Sequence, residues 1–275
     1  MTYKTVLVHL DDTSRASDRL DFAIEFARAF KAHLVAIYVM QPSFVPIIEG
    51  EASALVMQTL IERARGLKEE KRRNFERRAE VEDIPMEWRE DDGDLVDSIT
   101  MQARHADIAI LGQVDPDEGG VLRDLPELVA LSAGCPVLVL PYAGAYHMVG
   151  QRVLTGWNAS REAARAVHDA LPILERSKQV TMLTVIQRKG ENDPRIVPGA
   201  DIATHLARHK VNAVAALTVA PDEEVGDVIL SRAADDGADL IVMGCYGHSR
   251  FRELVLGGAS RHLFAHMTVP ILASH

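Results

Sequence analysis

The segment with the clearest chemical potential is a glycine-containing stretch near the C-terminal end of the chain. Gly244 and Gly247 follow an apolar run, and the pair Gly257-Gly258 opens a predicted helix after nine intervening residues. Glycine lets the main chain approach a ligand closely and adopt a positive φ. The unpaired N–H groups and the dipole at a helix start favour phosphate oxygens. The spacing matches neither a Walker A motif nor a dinucleotide fingerprint, so it predicts a phosphate-binding loop of another kind.

Other side chains of this loop have less specific patterns. Cys245 directly follows the first glycine, and the alternatives for it are a redox-sensing thiol and an inert small side chain. His248, Arg250 and Arg252 supply cations to a phosphate in one interpretation and belong to a solvated loop in the other.

No residue pattern predicts catalytic machinery or a metal site. His262 and His266 stand four apart, which suits a metal, but no carboxylate or thiol is in register, so we interpret them as surface histidines. Ser160 and His168 do not form a nucleophile elbow, because no G-x-S-x-G occurs. The sequence therefore predicts a binding role without dedicated catalysis.

The composition sets the broad class of the protein. Of 275 residues, 47% are hydrophobic and 25% are charged, a balance that excludes wholesale disorder. The formal charge of −10 opposes long-range attraction to nucleic acid or to an anionic membrane. Two cysteines are too few for a disulfide framework, and no apolar run approaches the roughly 18 residues of a membrane span. We expect a cytoplasmic protein that binds neither nucleic acid nor membrane.

The chain repeats one plan twice. The apolar run at residues 5–11 has a counterpart at 152–158, and each run leads through a polar turn into an alanine-rich helix. Apolar positions with a 3.6-residue period place these helices at about 17–30 and 160–174. Later apolar runs of the two halves also match in order, and strand-like runs at 86–88 and 213–217 lie between them.

This order of elements predicts the fold class. Near-continuous apolar strands that alternate with helices indicate parallel sheets covered on both faces. We therefore predict an α/β fold with two five-stranded modules, residues 1–145 and 151–275. Residues 51–82 add one long charged helix to the first module. Its arginines either contact nucleic acid or pair with the interleaved glutamates on a solvated face, and the second interpretation is favoured.

The glycine loop also carries a likeness to a known family. The spacing Gly244-x2-Gly247-x9-Gly257 resembles the nucleotide-binding signature of the universal stress protein family, G-2x-G-9x-G-(S/T). The apolar runs at 238–243 and 269–272 and the opening strands of both halves are similar to that family too. The resemblance implies two Rossmann-like modules (adenine nucleotide alpha hydrolase-like) with strand order 3-2-1-4-5. It also implies that the two modules pair through their last strands.

An adenine nucleotide, ATP or AMP, is the ligand that this resemblance implies for the second module. It directs one residue after the first strand toward adenine or ribose, one residue of the second strand toward adenine, and two residues at the end of the fourth strand toward ribose. Three glycines cradle the phosphates with main-chain N–H groups. The residue directed toward adenine or ribose is Asn158, and the residue of the second strand is Val185. The two residues at the end of the fourth strand are Met243 and Gly244, and the three glycines are Gly247, Gly257 and Gly258.

Two departures from the family pattern lie at the implied site. Asn158 stands where the family has an aspartate, so a neutral amide replaces a charged acceptor. Gly258 stands where the family has Ser or Thr, so one hydroxyl contact is missing. The first module keeps Asp11 and Val39, but Asp115 replaces its second glycine and opposes a phosphate there. We therefore expect nucleotide only in the second module.

The sequence thus predicts a stress-response protein with a regulatory nucleotide site. Two alternatives stay open: a nucleotide-independent interaction protein with a vestigial pocket, and a slow ATPase on the same fold. The stress signal, the protein partner and the choice between monomer and homodimer are not determined by the sequence.

Overall fold

Strands and helices alternate within each half of the described chain. The computed structural model describes residues 2–40, 51–115, 122–186, 198–220, 224–245 and 258–275. The elements of the first half are β1 (Thr5–Leu10), α1 (Ala16–Phe30), β2 (His33–Val39), α2 (Glu51–Val81), β3 (Met86–Asp91), α3 (Leu95–Ala103), β4 (Ile108–Gly112), α4 (Leu125–Ser132) and β5 (Val137–Leu140). Those of the second half are β6 (Arg152–Gly156), α5 (Arg161–Leu174), β7 (Gln179–Ile186), α6 (Ala200–Arg208), β8 (Ala213–Val219), α7 (Val225–Asp235), β9 (Leu240–Gly244), α8 (Gly258–His266) and β10 (Ile271–Ser274).

The predicted elements are present, with shifts at their ends. The long helix at 51–82 is α2, and the two alanine-rich helices are α1 and α5. The strand-like runs at 86–88 and 213–217 extend further, as β3 and β8. The extra residues of β3 are polar, and those of β8 lie at the end of an apolar run, so their own sequence does not mark them as strand. Pairing with β2 and β7 orders them.

All ten strands form one sheet, in the order β3-β2-β1-β4-β5-β10-β9-β6-β7-β8. Counted within each half, this is the implied order 3-2-1-4-5. The pairs are parallel except at the junction of the halves, where β5 and β10 run antiparallel with Leu138 opposite Leu272. Both junction strands are apolar, so their pairing removes two exposed sheet edges and makes the two five-stranded sheets continuous.

Helices cover this sheet with two apolar layers, and each layer runs through both halves. One layer lies under α1, α2, α5 and α6 and includes Phe22, Phe26 and Leu174. The other lies under α3, α4, α7 and α8 and includes Ile99 and Leu263. The chain is therefore a paired unit with a shared core, and burial of this aliphatic surface is the main force that holds the halves together.

Polar contacts also cross the junction. Tyr3 Oη donates to the Asp169 carbonyl at 2.7 Å. The Arg176 guanidinium lies 4.1 Å above the Phe30 ring, and its Nη1 donates to the Ala29 carbonyl at 2.8 Å. These contacts tie the N-terminal segment and the last turn of α1 to α5 and to the residue Arg176 beyond its end, so they hold the two halves together.

The charged surface of α2 follows the solvated-face interpretation. Arg72 Nε lies 2.9 Å from Glu76 Oε1 one turn later, and Arg78 Nη2 lies 2.6 Å from Asp21 Oδ1 of α1. Opposite charges at such spacings stabilise a helix modestly, as expected for a solvated charged face. Among the described residues, no helix is both long and apolar enough to cross a membrane.

A buried carboxyl lies where α4 meets α8. Glu127 is 4% exposed, and its Oε2 has no hydrogen-bond partner among the described residues. Burial, with a smaller contribution from Asp124, raises the pKa of Glu127 to about 7, against the opposing effect of Arg261 on α8. The carboxyl therefore titrates near neutral pH while it is packed between the two halves.

We expect Glu127→Gln to stabilise the protein in alkaline solution. The raised pKa means that the folded state favours the protonated carboxyl, so this stability is present below the ordinary pKa and is lost as the pH rises through about 7. Glutamine cannot ionise, so urea unfolding at about pH 8 should show a gain of about 1–2 kcal/mol, with little gain at about pH 5. The exposed Glu80→Gln is the control. An equal effect of Glu127→Gln at both pH values would contradict the assignment.

Candidate functional site

The carboxyl ends of β6, β7 and β9 meet at one edge of the sheet. Strand order reverses at β6, which pairs with β7 on one side and with β9 on the other. In open α/β sheets, ligands bind at such a reversal. The register aligns Thr155 of β6 with Val242 of β9, and Gly156 with Leu183 of β7. The residues that follow these pairs are therefore neighbours in space.

Most of the residues implied by the sequence lie at this edge. Asn158 follows β6 and is exposed, Val185 near the end of β7 is half-buried, and Met243 and Gly244 end β9. Gly258 begins α8 and is exposed. Gly247 and Gly257, together with His248, Arg250 and Arg252, lie outside the described residues.

The turn after β6 is held by two side chains. Asn158 Oδ1 accepts a hydrogen bond from Ser160 N at 3.1 Å, and Ala159 between them has a positive φ of 57°. Ser160 Oγ then accepts from Ala163 N at 3.1 Å and caps α5. The Ser160 hydroxyl therefore caps α5, and the side-chain carbonyl of Asn158 accepts a hydrogen bond within the turn. The Nδ2 donor is the other polar atom of Asn158 that a ligand can meet.

Gly244 is required by packing as well as by any ligand. A Cβ at this position would lie 2.7 Å from the Glu162 carbonyl oxygen and even closer to Glu162 C and Ala163 N. The first turn of α5 therefore rests directly on the end of β9. The sequence pattern alone assigned this glycine to a ligand, and the close helix start is a second, structural reason for it.

The structure favours the inert interpretation of Cys245. The residue is fully buried, its N–H donates to the Ser274 carbonyl at 2.8 Å, and its Sγ lies 3.3 Å from the same oxygen. Burial raises the pKa of the Cys245 thiol to about 12, so the reactive thiolate is scarce at neutral pH.

His262 and His266 have local partners. His262 Nε2 lies 2.6 Å from Asp227 Oδ1 of α7, and His266 Nδ1 lies 3.0 Å from the His262 carbonyl. Within the described part of the chain, no group of three or more His, Cys, Asp or Glu side chains is arranged to hold a metal ion.

The first module fills the corresponding place with its own side chain. Arg19 of α1 is 4% exposed, its Nη2 lies 2.6 Å from Asp11 Oδ2, and its Nε donates to the His9 carbonyl at 2.7 Å. The guanidinium also lies over Gly112, the counterpart of Gly244, because a Cβ there would overlap Arg19 Nη1. The Asp11 carboxylate, which could otherwise contact a ligand in the first module, is thus paired with Arg19 of the same module.

The surroundings of Asp11 and His9 shift the pKa values of both side chains. Burial by itself would raise the pKa of Asp11, but the Arg19 guanidinium, aided by His9 and the Thr13 hydroxyl, keeps it well below its usual range. Burial lowers the pKa of His9 to about 4, so the imidazole is neutral at pH 7. The pair Asp11–Arg19 is therefore ionised and self-contained at neutral pH.

Beside this pair, only a small opening remains. It holds about 20 Å³, enough for a water molecule and far too little for a nucleotide. Its lining includes Arg15, Arg19, Gly112, Tyr142 and Tyr146.

Sequence reasoning missed the roles of Arg19 and Gln113. A signal for Arg19 existed, since it stands on the apolar stripe of α1 between Ala16 and Ala23, where a charge must find a buried partner. Gln113 follows β4 and donates from Nε2 to the Phe264 carbonyl of α8 at 2.8 Å. No local pattern marks Gln113, because its partner belongs to the other half of the chain.

Comparison with known proteins decides the family. A sequence profile of the Universal stress protein family matches residues 2–141 and again residues 150–275. The chain belongs to that family. No match was found among curated proteins.

Solved structures share the arrangement of both universal stress modules. A universal stress protein from Archaeoglobus fulgidus DSM 4304 is 16% identical and covers 98% of this chain and 95% of its own, with a TM-score of 0.77. A putative universal stress protein from Pseudomonas aeruginosa UCBPP-PA14 is 14% identical, with coverages of 99% and 93% and a TM-score of 0.60. A universal stress protein solved in complex with cAMP is 20% identical over 52% of this chain and 100% of its own, with a TM-score of 0.33. The two full-length likenesses show that the tandem fold recurs at low identity.

Proposed function

We propose that this universal stress protein is a cytoplasmic regulatory protein that binds an adenine nucleotide, ATP or AMP, in its second module. The proposed module boundaries are residues 1–145 and 151–275. Occupancy would stabilise one arrangement of the glycine loop and of the junction between modules. Catalysis is not part of the proposal, because no residue pattern in the sequence predicts catalytic machinery.

One observation carries the proposal. β9 ends at Gly244 and α8 begins at Gly258, so the spacing G-2x-G-9x-G spans a strand-to-helix connection at the reversal of strand order. Such a connection aims the N–H groups of a helix start at a ligand that lies on the strand ends. The first module lacks this spacing and closes its own strand end with Arg19.

The described residues suggest which groups would contact the ligand. Val185 offers an apolar surface near the end of β7, and Asn158 offers a donor beyond β6. A donor at that position suits an acceptor nitrogen of adenine or a ribose oxygen. Among the described residues, nothing lies within 4 Å of where a Gly258 side chain would stand, and Gly258 itself would support phosphate through its main chain.

Calorimetric titration with ATP and with AMP tests the proposal, with thermal unfolding as a second readout. At a nucleotide concentration of about 100 times Kd, the wild type should gain about 2.7 kcal/mol of stability. Gly247→Val should abolish the heat and the gain, whereas Gly119→Val in the first module should leave both unchanged. Gly258→Ser, which has room for the added group, should strengthen binding by restoring the hydroxyl of the family pattern.

The competing functions make different predictions in the same samples. An interaction protein with a vestigial pocket would show no heat at millimolar nucleotide, and that result would overturn the proposal. The packing of α5 on Gly244 favours this rival, since it explains one signature glycine without a ligand. A slow ATPase would release phosphate above a protein-free control, and Gly247→Val would abolish that release.

A further inference from the structure

The two outer edges of the ten-stranded sheet differ in chemistry. β3 forms one edge and reads MEWRED, with Glu87 and Arg89 paired at 2.8 Å and with Glu90 and Asp91 exposed. Charges of this kind keep an edge strand from pairing with another chain. β8 forms the other edge and reads AVAALTV, without a single charge.

β8 also presents large apolar side chains to solvent. Val214 is 45% exposed, Leu217 is 41% exposed and Val219 is 50% exposed. Few other large apolar side chains of the described residues are as exposed, and no other strand contributes one. An uncharged apolar edge is a template for another strand.

We propose that a second copy of this chain pairs with the first along β8, antiparallel, with the twofold axis at Ala216. This register places the large exposed residues opposite small ones. Leu217 faces Ala215 of the second copy, and Val219 faces Ala213. Val214 likewise faces Thr218, and Ala216 meets its own copy on the axis. Such cross-strand matching stabilises a pair and avoids steric crowding between large side chains.

The backbone supports the same register. Val180 N of β7 donates to the Asn212 carbonyl, and Ala220 N donates to the Ile186 carbonyl of β7, so even-numbered residues direct their polar groups to β7. Odd-numbered residues therefore direct theirs to the free edge. With the axis at Ala216, Ala215 and Leu217 of the two copies exchange about four backbone hydrogen bonds around the axis.

Charge at the two ends of β8 favours the antiparallel direction. The exposed Arg208 and Lys210 precede the strand, and the exposed Glu224 follows it. Antiparallel pairing brings the basic end of one copy beside the acidic end of the other, whereas parallel pairing would bring like ends together. The junction of β5 with β10 shows that this sheet already extends itself by antiparallel pairing of apolar strands.

A cysteine placed on the proposed axis tests the register directly. At a non-hydrogen-bonded antiparallel pair, the two Cα atoms lie about 4.5 Å apart, within the range for a disulfide. Ala216→Cys should therefore form a covalent dimer under mild oxidation. Thr218→Cys is the matched control, because Thr218 faces Val214 and its own copy lies more than about 10 Å away. The wild type controls for Cys135 and Cys245.

Sedimentation analysis from about 1 to about 200 micromolar protein measures the association itself. The wild type should pass from monomer to dimer with rising concentration, and Leu217→Lys should weaken association at least tenfold. Val81→Lys adds the same charge at another exposed apolar residue and should leave association unchanged. If Leu217→Lys proves unfolded by circular dichroism, the cross-linking result decides the matter. The proposal would be overturned by a monomeric wild type, by a dimer that persists in folded Leu217→Lys, or by equal cross-linking of the two cysteine variants. A monomer that binds only extended peptides would overturn it too.

Discussion

Gly244→Ala is expected to destabilise the second module by about 3 kcal/mol and to abolish nucleotide binding. The added methyl would overlap the main chain of Glu162 and Ala163, and main chain cannot rotate aside as the tip of a side chain can. The first turn of α5 must therefore shift away from β9. That shift would also displace the Ser160 cap of α5 and the turn that the Asn158 side chain holds. Urea unfolding and calorimetric titration measure the two effects.

Gly66→Ala is the matched control for this change. Gly66 lies in α2, and a Cβ there meets nothing within 4 Å. Alanine in an exposed helix is favoured over glycine, so this variant should gain about 0.5–1 kcal/mol. If Gly244→Ala were as stable as the wild type, α5 would not rest on β9 as described.

Arg19→Met is expected to cost about 3–5 kcal/mol of stability at neutral pH. Methionine fills much of the volume of the arginine stem, but it leaves the half-buried Asp11 carboxylate without its partner. The loss should be coupled to Asp11. Adding Asp11→Asn to Arg19→Met removes the uncompensated charge and should recover most of the stability, which urea unfolding of the single and double variants measures.

The pH dependence of this pair has a definite sign. Because the pKa of Asp11 is lowered in the folded protein, the pair contributes stability above the ordinary pKa of about 4 and loses it as the pH falls further. In Arg19→Met, burial instead raises the pKa of Asp11, so the deficit should be largest near pH 7.5 and smaller near about pH 5. A deficit under about 1 kcal/mol, or one that grows on acidification, would show that the pair does not carry the stability assigned to it.

These two variants probe the same place in the two modules, and the contrast explains their asymmetry. In the first module an arginine side chain lies over Gly112, whereas in the second the backbone of α5 lies over Gly244. The buried face of α5 carries Glu162 and otherwise apolar residues, so no buried cation of α5 lies beside Asn158 as Arg19 lies beside Asp11. The first module thus closes its strand end with a charged side chain, and the second leaves Asn158 exposed at the corresponding place.

Several features of this protein follow from local sequence. The periodicity of α1 and α5 and the apolar runs of the central strands predict their elements, because each pattern reflects which face a segment buries. The likeness of the runs at 5–11 and 152–158 reveals the tandem plan. The glycine spacing after β9 locates the candidate site, since glycine positions record where the main chain needs close approach.

Other features depend on residues that are distant in the chain, and only the tertiary structure decides them. The pairing of β5 with β10 joins strands more than a hundred residues apart, and Gln113 finds its acceptor at Phe264. The packing that requires glycine at Gly244 arises from the backbone of Glu162, in the first turn of α5. The sequence by itself determined the two repeated modules and the loop that could hold a nucleotide, and its resemblance to the family implied their strand order. The structure decided that Arg19 closes the first site and that β8 is left as an apolar edge, because both depend on which surfaces folding brings together and which it leaves uncovered.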